Sequence, residues 1–227
     1  LMGTALRSQD DLDAAETELK IARRLFGYDP KVDPEPDPEP DPEPDPELTH
    51  IPTHRLHLAR VYHQLALSKY NRVPPGGAKT DDDKNHLNTA NIFNNLAKKL
   101  SAHEDYTGYH DHMLDYGITV VSSLIQTALG QYKEAHEDAK QAIMISNTVP
   151  EWTRGWAWVA KGMAVAEHIE TSTDDGGIKD AETAFIRVIE DGTIRILDRA
   201  AAHLHLARMY SKIGRPVDAA IHCGLAE

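Results

Sequence analysis

Residues 200–227 read AAAHLHLARMYSKIGRPVDAAIHCGLAE, and this stretch decides the fold. Leu206, Ala207 and Tyr210 fall on one stripe of a helix, because residues three or four positions apart share a helix face. Gly214 then interrupts the helical pattern. The stretch therefore predicts two short helices that are joined by a tight turn and packed against each other.

The second of these helices begins at Pro216, where the missing backbone N–H of proline is tolerated. Small side chains then recur at spacings of three and four residues, which places them along one face. We expect this face to lie inward and to let the two helices approach closely. Its members are Ala219, Ala220, Cys223 and Ala226.

The same pattern recurs earlier in the chain. Residues 56–62 read LHLARVY and residues 204–210 read LHLARMY, so that only one position in seven differs. Core and surface positions are retained together, which indicates an internal repeat. Alanines at helical spacing also predict second helices elsewhere, with the inward residues Ala90, Phe93 and Ala97, then Ala135, Ala139 and Ala142, then Ala181, Phe185 and Val188.

These large, small, aromatic, glycine and alanine positions resemble those of the tetratricopeptide repeat. Residues 2–27 are similar to the longer repeat of kinesin light chains, in which a leucine-glycine pair closes the second helix. The resemblance implies an all-α protein, a right-handed α–α superhelix of about five helix-turn-helix repeats with loop insertions, in one array over residues 1–227. Because the pattern begins inside a helix, we expect the chain to be a fragment of a longer protein.

Two insertions interrupt the predicted array. Residues 28–50 form an acidic, proline-rich insertion in which residues 33–47 alternate proline with a carboxylate. Such a segment favours a polyproline-II conformation of about 3.1 Å per residue, up to roughly 45 Å long. It is either a spacer or an acidic arm that docks on a basic surface. Residues 70–86 are predicted to be a polar loop.

Charge and composition exclude several classes of protein. The formal net charge is −12, and removing the eight carboxylates of residues 33–47 leaves the rest of the chain at −4. This balance argues against a nucleic-acid-binding protein, which needs basic surface. No apolar run approaches the roughly 20 residues that span a bilayer, so we expect no membrane insertion. A single cysteine favours a reducing, intracellular compartment.

The candidate binding residues lie on the predicted first helices, which line the concave groove in proteins of this family. The position after the small residue is basic in three repeats, and the position before the large residue carries a ring. If these residues lie side by side along the groove, they would bind an acidic peptide in an extended or helical conformation. Alternatively, the cations pair with carboxylates on neighbouring helices. The six residues are His57, Arg60, Trp158, Lys161, His205 and Arg208.

The sequence therefore predicts an intracellular scaffold or adaptor that binds a protein or peptide. An alternative is a sensor or autoinhibitory region of a larger signalling or regulatory protein, such as an ATPase or a transcription factor. A metal site built from His103, His110 and His112 is disfavoured, because residues i and i+2 point in different directions on a helix. No catalytic motif or cofactor-binding motif is present, so we expect neither an enzyme nor a cofactor.

Overall fold

The computed structural model of the protein describes Thr17 and residues 52–74, 77–102, 111–169 and 175–226. These residues form eight α-helices and two short 3₁₀ turns, Ser146–Thr148 and Glu151–Thr153, and they contain no β-strand. The first predicted repeat (residues 2–27) and the acidic insertion (residues 28–50) lie outside the described ranges, apart from Thr17. The helices are α1 (Pro52–Tyr70), α2 (Asp81–Ser101), α3 (His112–Ala128), α4 (Tyr132–Ile145), α5 (Gly155–His168), α6 (Asp175–Glu190), α7 (Ile196–Lys212) and α8 (Pro216–Leu225).

The described part of the chain divides into two compact units, with the boundary between Val121 and Ser122 inside α3. We call them the N-terminal unit (residues 52–121) and the C-terminal unit (residues 122–226). The all-α class is therefore confirmed for the described residues. The single array over residues 1–227 stays a prediction.

In the N-terminal unit, α1 and α2 run antiparallel. The Arg55 Nε donates to the carbonyl of Leu100 at 3.2 Å, near the start of α1 and the end of α2. Further along α1, the ring of Tyr62 lies 5.9 Å from the ring of Phe93, which is earlier in α2. The buried Asn94 side chain donates to the Ile118 carbonyl and joins α2 to α3.

His63 is a buried polar residue of this unit. Its ring lies so close to Gly117 that a Cβ at residue 117 would be 3.0 Å from the His63 Nε2. Burial lowers the pKa of His63 to about 4, although a hydrogen bond with Asn94 opposes this shift. The ring is therefore neutral at pH 7, which fits its place in an apolar core.

In the C-terminal unit, consecutive helices are antiparallel and alternate helices are parallel. Trp158 lies beside Arg187, and Gly162 lies beside Phe185. Residue numbers therefore increase along α5 in the direction in which they decrease along α6. By contrast, Trp156 pairs with Asp198, and Glu167 pairs with Arg208 further along both α5 and α7. The same relation holds in the N-terminal unit, where Arg60 and His63 of α1 contact Asp111 and Gly117 in the same order.

Two helix ends are closed by the same motif. Gly130 follows α3 with φ +77° and Gly214 follows α7 with φ +76°, conformations that glycine adopts without strain. The next residue's N–H bonds back across the turn in each case: Gln131 to the Gln126 carbonyl at 2.9 Å, and Arg215 to the Tyr210 carbonyl at 2.8 Å. This is the Schellman arrangement, in which a left-handed residue ends the helix.

Most core residues predicted from the sequence are buried. In α7, Leu206, Ala207 and Tyr210 are all less than 7% exposed. The predicted inward residues of α2, α4 and α6 are buried as well. Ser122 and Ser123 occupy core positions of α3 because each hydroxyl has a partner on α4: Ser122 donates to Asp138 at 2.6 Å and Ser123 to the Ala135 carbonyl at 2.7 Å.

The loop that we expected over residues 70–86 is shorter in the structure. α2 begins at Asp81, and Thr80 caps it: the Asp83 N–H donates to the Thr80 hydroxyl at 3.1 Å, and the Asp83 carboxylate accepts from the Thr80 N–H at 2.9 Å. This reciprocal pair is a capping box, which sets the helix start before any apolar residue appears.

The prediction for α8 is wrong in part. Ala219 packs against the core, but Ala220 and Cys223 are exposed, and no residue of α8 is fully buried. His222 is among the residues through which α8 contacts α7. The predicted inward face of α8 is therefore only partly covered.

Candidate protein-binding surface

The first of the predicted binding cations, Arg60, is fixed by an ion pair. Its Nη2 lies 2.6 Å from the Asp111 carboxylate, and its Nε donates to the same oxygen at 3.2 Å. Asp111 also accepts from the Leu114 N–H and so caps α3. Burial alone would raise the pKa of Asp111, but these hydrogen bonds and the Arg60 charge lower it. Arg60 therefore joins α1 to the beginning of α3.

Trp158 and Lys161 both face α6. The Lys161 Nζ donates to Asp180 at 2.9 Å, and the guanidinium of Arg187 lies 4.4 Å from the centre of the Trp158 ring. The Lys161 ammonium is itself 5.8 Å from that ring. The structure thus brings these two predicted residues together with a second cation, Arg187, which the sequence pattern did not indicate.

Arg208 faces α5. Its guanidinium lies 3.3 Å from Glu167, and Lys212, one turn further along α7, donates to the same carboxylate. Two cations therefore share one carboxylate. We call Glu167, Arg208 and Lys212 the α5–α7 charge cluster. The sequence analysis missed Lys212 because it compared only one basic position in each repeat.

The two histidines of the predicted set differ in environment. His57 is exposed on α1, whereas the ring of His205 stacks on Phe185 with centroids 6.2 Å apart. Desolvation by burial, together with the nearby Arg208 charge, lowers the pKa of His205 to about 4. His205 is therefore a neutral packing residue between α6 and α7.

The alternative stated for the three cations is what the structure shows: each pairs with a carboxylate on another element. His57 and Arg60 belong to the N-terminal unit, and the other four residues belong to the C-terminal unit. Their role in peptide binding stays a prediction.

A buried carboxylate that sequence reasoning missed lies at the start of α7. Asp198 accepts from the Trp156 indole N–H at 3.0 Å and from Arg195 at 3.1 Å. Its residue is only 1% exposed, and burial raises its pKa against the opposing charge of Arg195. Arg195 also lies 5.2 Å from the centre of the Trp152 ring. This network ties α5 to α7. The sequence signal for this buried carboxylate was the presence of Asp198 on the otherwise apolar face of α7.

An exposed apolar stripe lies on α8. Val217, Ile221 and Leu225 recur at intervals of four residues, and their exposed fractions are 71%, 55% and 59%. The stripe points away from the side that carries Ala219 and His222, which contact the rest of the unit. We call these three residues the α8 stripe. α7 adds further exposed apolar residues, namely Ile196, Leu197 and Leu204.

Two residues of the disfavoured histidine site, His103 and His110, lie outside the described ranges. In the part of the chain that is described, no group of three or more histidine, cysteine or acidic residues is arranged to hold a metal ion. No described helix combines the length and the apolar character needed to cross a membrane. Comparison with protein-family models, with curated proteins and with solved structures found no significant match.

Proposed function

We propose that the chain is a protein-interaction scaffold of the tetratricopeptide kind, a right-handed superhelix of helix pairs that binds an extended or helical segment of a partner protein. The observation that carries this proposal is the α8 stripe. Helices on the surface of a protein usually expose a polar face, whereas α8 exposes Val217, Ile221 and Leu225. An exposed apolar stripe of this kind is typical of a protein-binding site.

The order of the helices supports the scaffold architecture. Within each unit consecutive helices are antiparallel and alternate helices parallel, as the contacts of Arg60 with Asp111 and of Trp156 with Asp198 show. Stacked helix pairs bury a continuous core in this way and leave the same face of each first helix available for a ligand. The shared closing motif at Gly130 and Gly214 supports a repeated unit of sequence.

We propose an acidic ligand because of the α5–α7 charge cluster. Arg208 and Lys212 both contact the carboxylate of Glu167, so the structure already places two cations around one carboxylate here. A carboxylate of a bound segment would be attracted by the same two cations, and the half-buried position of these groups strengthens such an interaction relative to a fully solvated pair. The apolar residues of the same segment would cover exposed side chains such as Leu204.

Site-specific photocrosslinking tests the proposal. A photoreactive residue is placed at Ile221, at Leu204 or, as matched controls, at Lys84 and Lys140, whose exposed ammonium groups pair within their own helices α2 and α4. After irradiation in an extract of the source cells, we expect discrete protein adducts at residues 204 and 221 and none at the controls. Adducts of equal yield at all four positions, or none at residues 204 and 221, would overturn the proposal.

The acidic preference is tested separately with the variant R208Q/K212Q. We expect its adduct yield at residue 204 to fall, and the wild-type yield to fall in the same way as the salt concentration rises. The control variant K84Q/K140Q removes the same charge from exposed pairs and should retain the wild-type yield. A yield that is insensitive to both changes would exclude an acidic ligand while leaving the scaffold function in place.

A further inference from the structure

Two histidines from consecutive helices are in direct contact. The Nδ1 atoms of His203 on α7 and His222 on α8 lie 2.9 Å apart, and the ring centroids are 5.1 Å apart with a tilt of 31°. Both residues are half-exposed. The position of His203 is set by α7, whose residues Leu206 and Met209 are buried in the core. The ring of His222 is held from its other side by the stacked ring of Tyr210, at 5.6 Å.

This contact restricts the protonation of the pair. Two imidazolium rings with their Nδ1–H groups pointing at each other at this distance would repel, so at least one Nδ1 presents a lone pair. The arrangement is therefore either a single N–H···N hydrogen bond or a pair of nitrogen donors for one metal ion. Imidazole nitrogen is a donor suited to Cu²⁺, Ni²⁺ and Zn²⁺.

The separation of the two nitrogen atoms is compatible with a shared metal ion. Two nitrogens each about 2.0 Å from a metal lie about 2.8 Å apart at the right angle of a tetragonal site, but about 3.3 Å apart at a tetrahedral angle. The observed 2.9 Å is the length of an ordinary hydrogen bond and lies within about 0.4 Å of both values. Binding would then need only a small movement of the two rings.

We propose that His203 and His222 form a two-histidine site for a divalent transition-metal ion that fastens α8 to α7, with Cu²⁺ bound most tightly because nitrogen donors favour it over Ni²⁺ and Zn²⁺. Water would fill the remaining coordination positions, because the described residues hold no third donor in a group of this kind. The charge of Arg199, which lies close enough to act on His203, opposes cation binding and limits the affinity. The exposed Cys223 is next to His222 in the chain but is not part of the proposed site.

The consequence for the fold is local. α8 has no fully buried residue, and the pair of His203 and His222 is one of the side-chain contacts that attach it to α7. A metal ion that bridges the two rings would stabilise the attached state in proportion to its occupancy. It would also fix the α8 stripe relative to α7, although the metal site does not rest on the proposed function.

The test is isothermal titration of the whole chain with CuCl₂ and with NiCl₂. Because the chain has 13 histidines, the informative quantity is the difference between wild type and the variants H203F and H222F, which keep an aromatic ring but no donor. We expect each variant to lose one equivalent of metal, or to bind it at least tenfold more weakly. The control H57F should retain the wild-type isotherm.

Electron paramagnetic resonance of the protein with one equivalent of Cu²⁺ provides a second measurement that does not depend on affinity. We expect hyperfine coupling to two imidazole nitrogens in wild type and in C223S, and loss of that pattern in H203F. Unchanged isotherms in both phenylalanine variants, or the same copper spectrum in wild type and H203F, would overturn the proposal. Circular dichroism of each variant confirms that the helices are retained.

Discussion

Phe185 of α6 packs directly on Gly162 of α5: a Cβ at residue 162 would lie 2.6 Å from two carbon atoms of the Phe185 ring. The ring is completely buried, with the core residues Val159, Ala181 and Val188 also in this cluster. A phenylalanine ring in a packed core has little freedom to move aside. The absence of a side chain at residue 162 is therefore what permits α5 and α6 to approach.

Replacement of Gly162 by alanine should destabilise the C-terminal unit, although alanine is the better helix former. The added methyl group would force the Phe185 ring or α6 to shift, which costs about 1–3 kcal/mol of unfolding free energy. Urea denaturation followed by circular dichroism measures the difference. Gly192→Ala is the matched control, because nothing lies within 4 Å of a Cβ at that position. An equal effect of the two substitutions would contradict this account of the packing.

Acid should destabilise the protein because His63 is buried in its neutral form. Its pKa is lowered to about 4 from the ordinary 6.5, so the unfolded chain binds a proton below pH 6.5 that the folded chain does not yet accept. The contribution of this residue to stability is thus complete above pH 6.5 and is lost as the pH falls towards 4. The full loss is about 3 kcal/mol. His205 should contribute in the same direction and to a similar extent, because burial lowers its pKa to about 4 as well.

The variants His63→Gln and His57→Gln test this assignment. Denaturation at pH 7.5, 6, 5 and 4 should give a shallower pH dependence for His63→Gln than for wild type. His57→Gln removes an exposed histidine of the same helix and serves as the control. A pH dependence that is the same in all three proteins would show that His63 is not responsible.

Asp198 should be more sensitive to truncation than to neutralisation. Asp198→Ala leaves Arg195 and the Trp156 indole N–H without their acceptor, and we expect a loss of about 2–4 kcal/mol in unfolding free energy. Asp198→Asn keeps an oxygen acceptor and removes a charge that burial already disfavours, so its effect should be smaller by about 1 kcal/mol or more. Chemical denaturation monitored by tryptophan fluorescence measures both. Equal losses would mean that the charge, rather than the acceptor, holds α7 in place.

Glu167→Gln should increase binding of an acidic ligand. The substitution leaves Arg208 and Lys212 without their shared carboxylate, at a cost in stability of about 1 kcal/mol or less because the cations stay partly solvated. We expect a fluorescent hexaglutamate peptide to bind several-fold more tightly to this variant at low salt. The exposed Glu137, whose lysine partner lies on its own helix, supplies the control Glu137→Gln. Equal affinities for the two variants would indicate that the α5–α7 charge cluster does not bind carboxylates.

Local sequence signals predicted the helices and most of their buried residues. Leu206 and Tyr210 are buried because their spacing matches the turn of a helix, and Gly214 ends that helix because its positive φ suits glycine. The errors lie where a local signal was overlooked or absent. The capping box at Thr80 and Asp83 was readable, whereas nothing in the sequence of α8 showed that Cys223 would be exposed.

The partners of the predicted binding residues were beyond the reach of the sequence. Arg60 and Asp111 are 51 positions apart in the chain, and the pairing of Arg208 with Glu167 depends on α5 and α7 being parallel neighbours. Periodicity specifies which face of a helix is apolar but not which helix lies opposite a given charged residue. The sequence pattern therefore located the cations without showing that they are paired.

What the sequence by itself determined is the all-helical class of the described residues, the helix end at Gly214, and most of the core, because these depend on contacts within one turn or one helix. Only the tertiary structure decided that His203 meets His222, that Glu167 holds two cations and that the α8 stripe is exposed. Those features depend on the distance and direction between helices, which arise from the packing of many side chains at once.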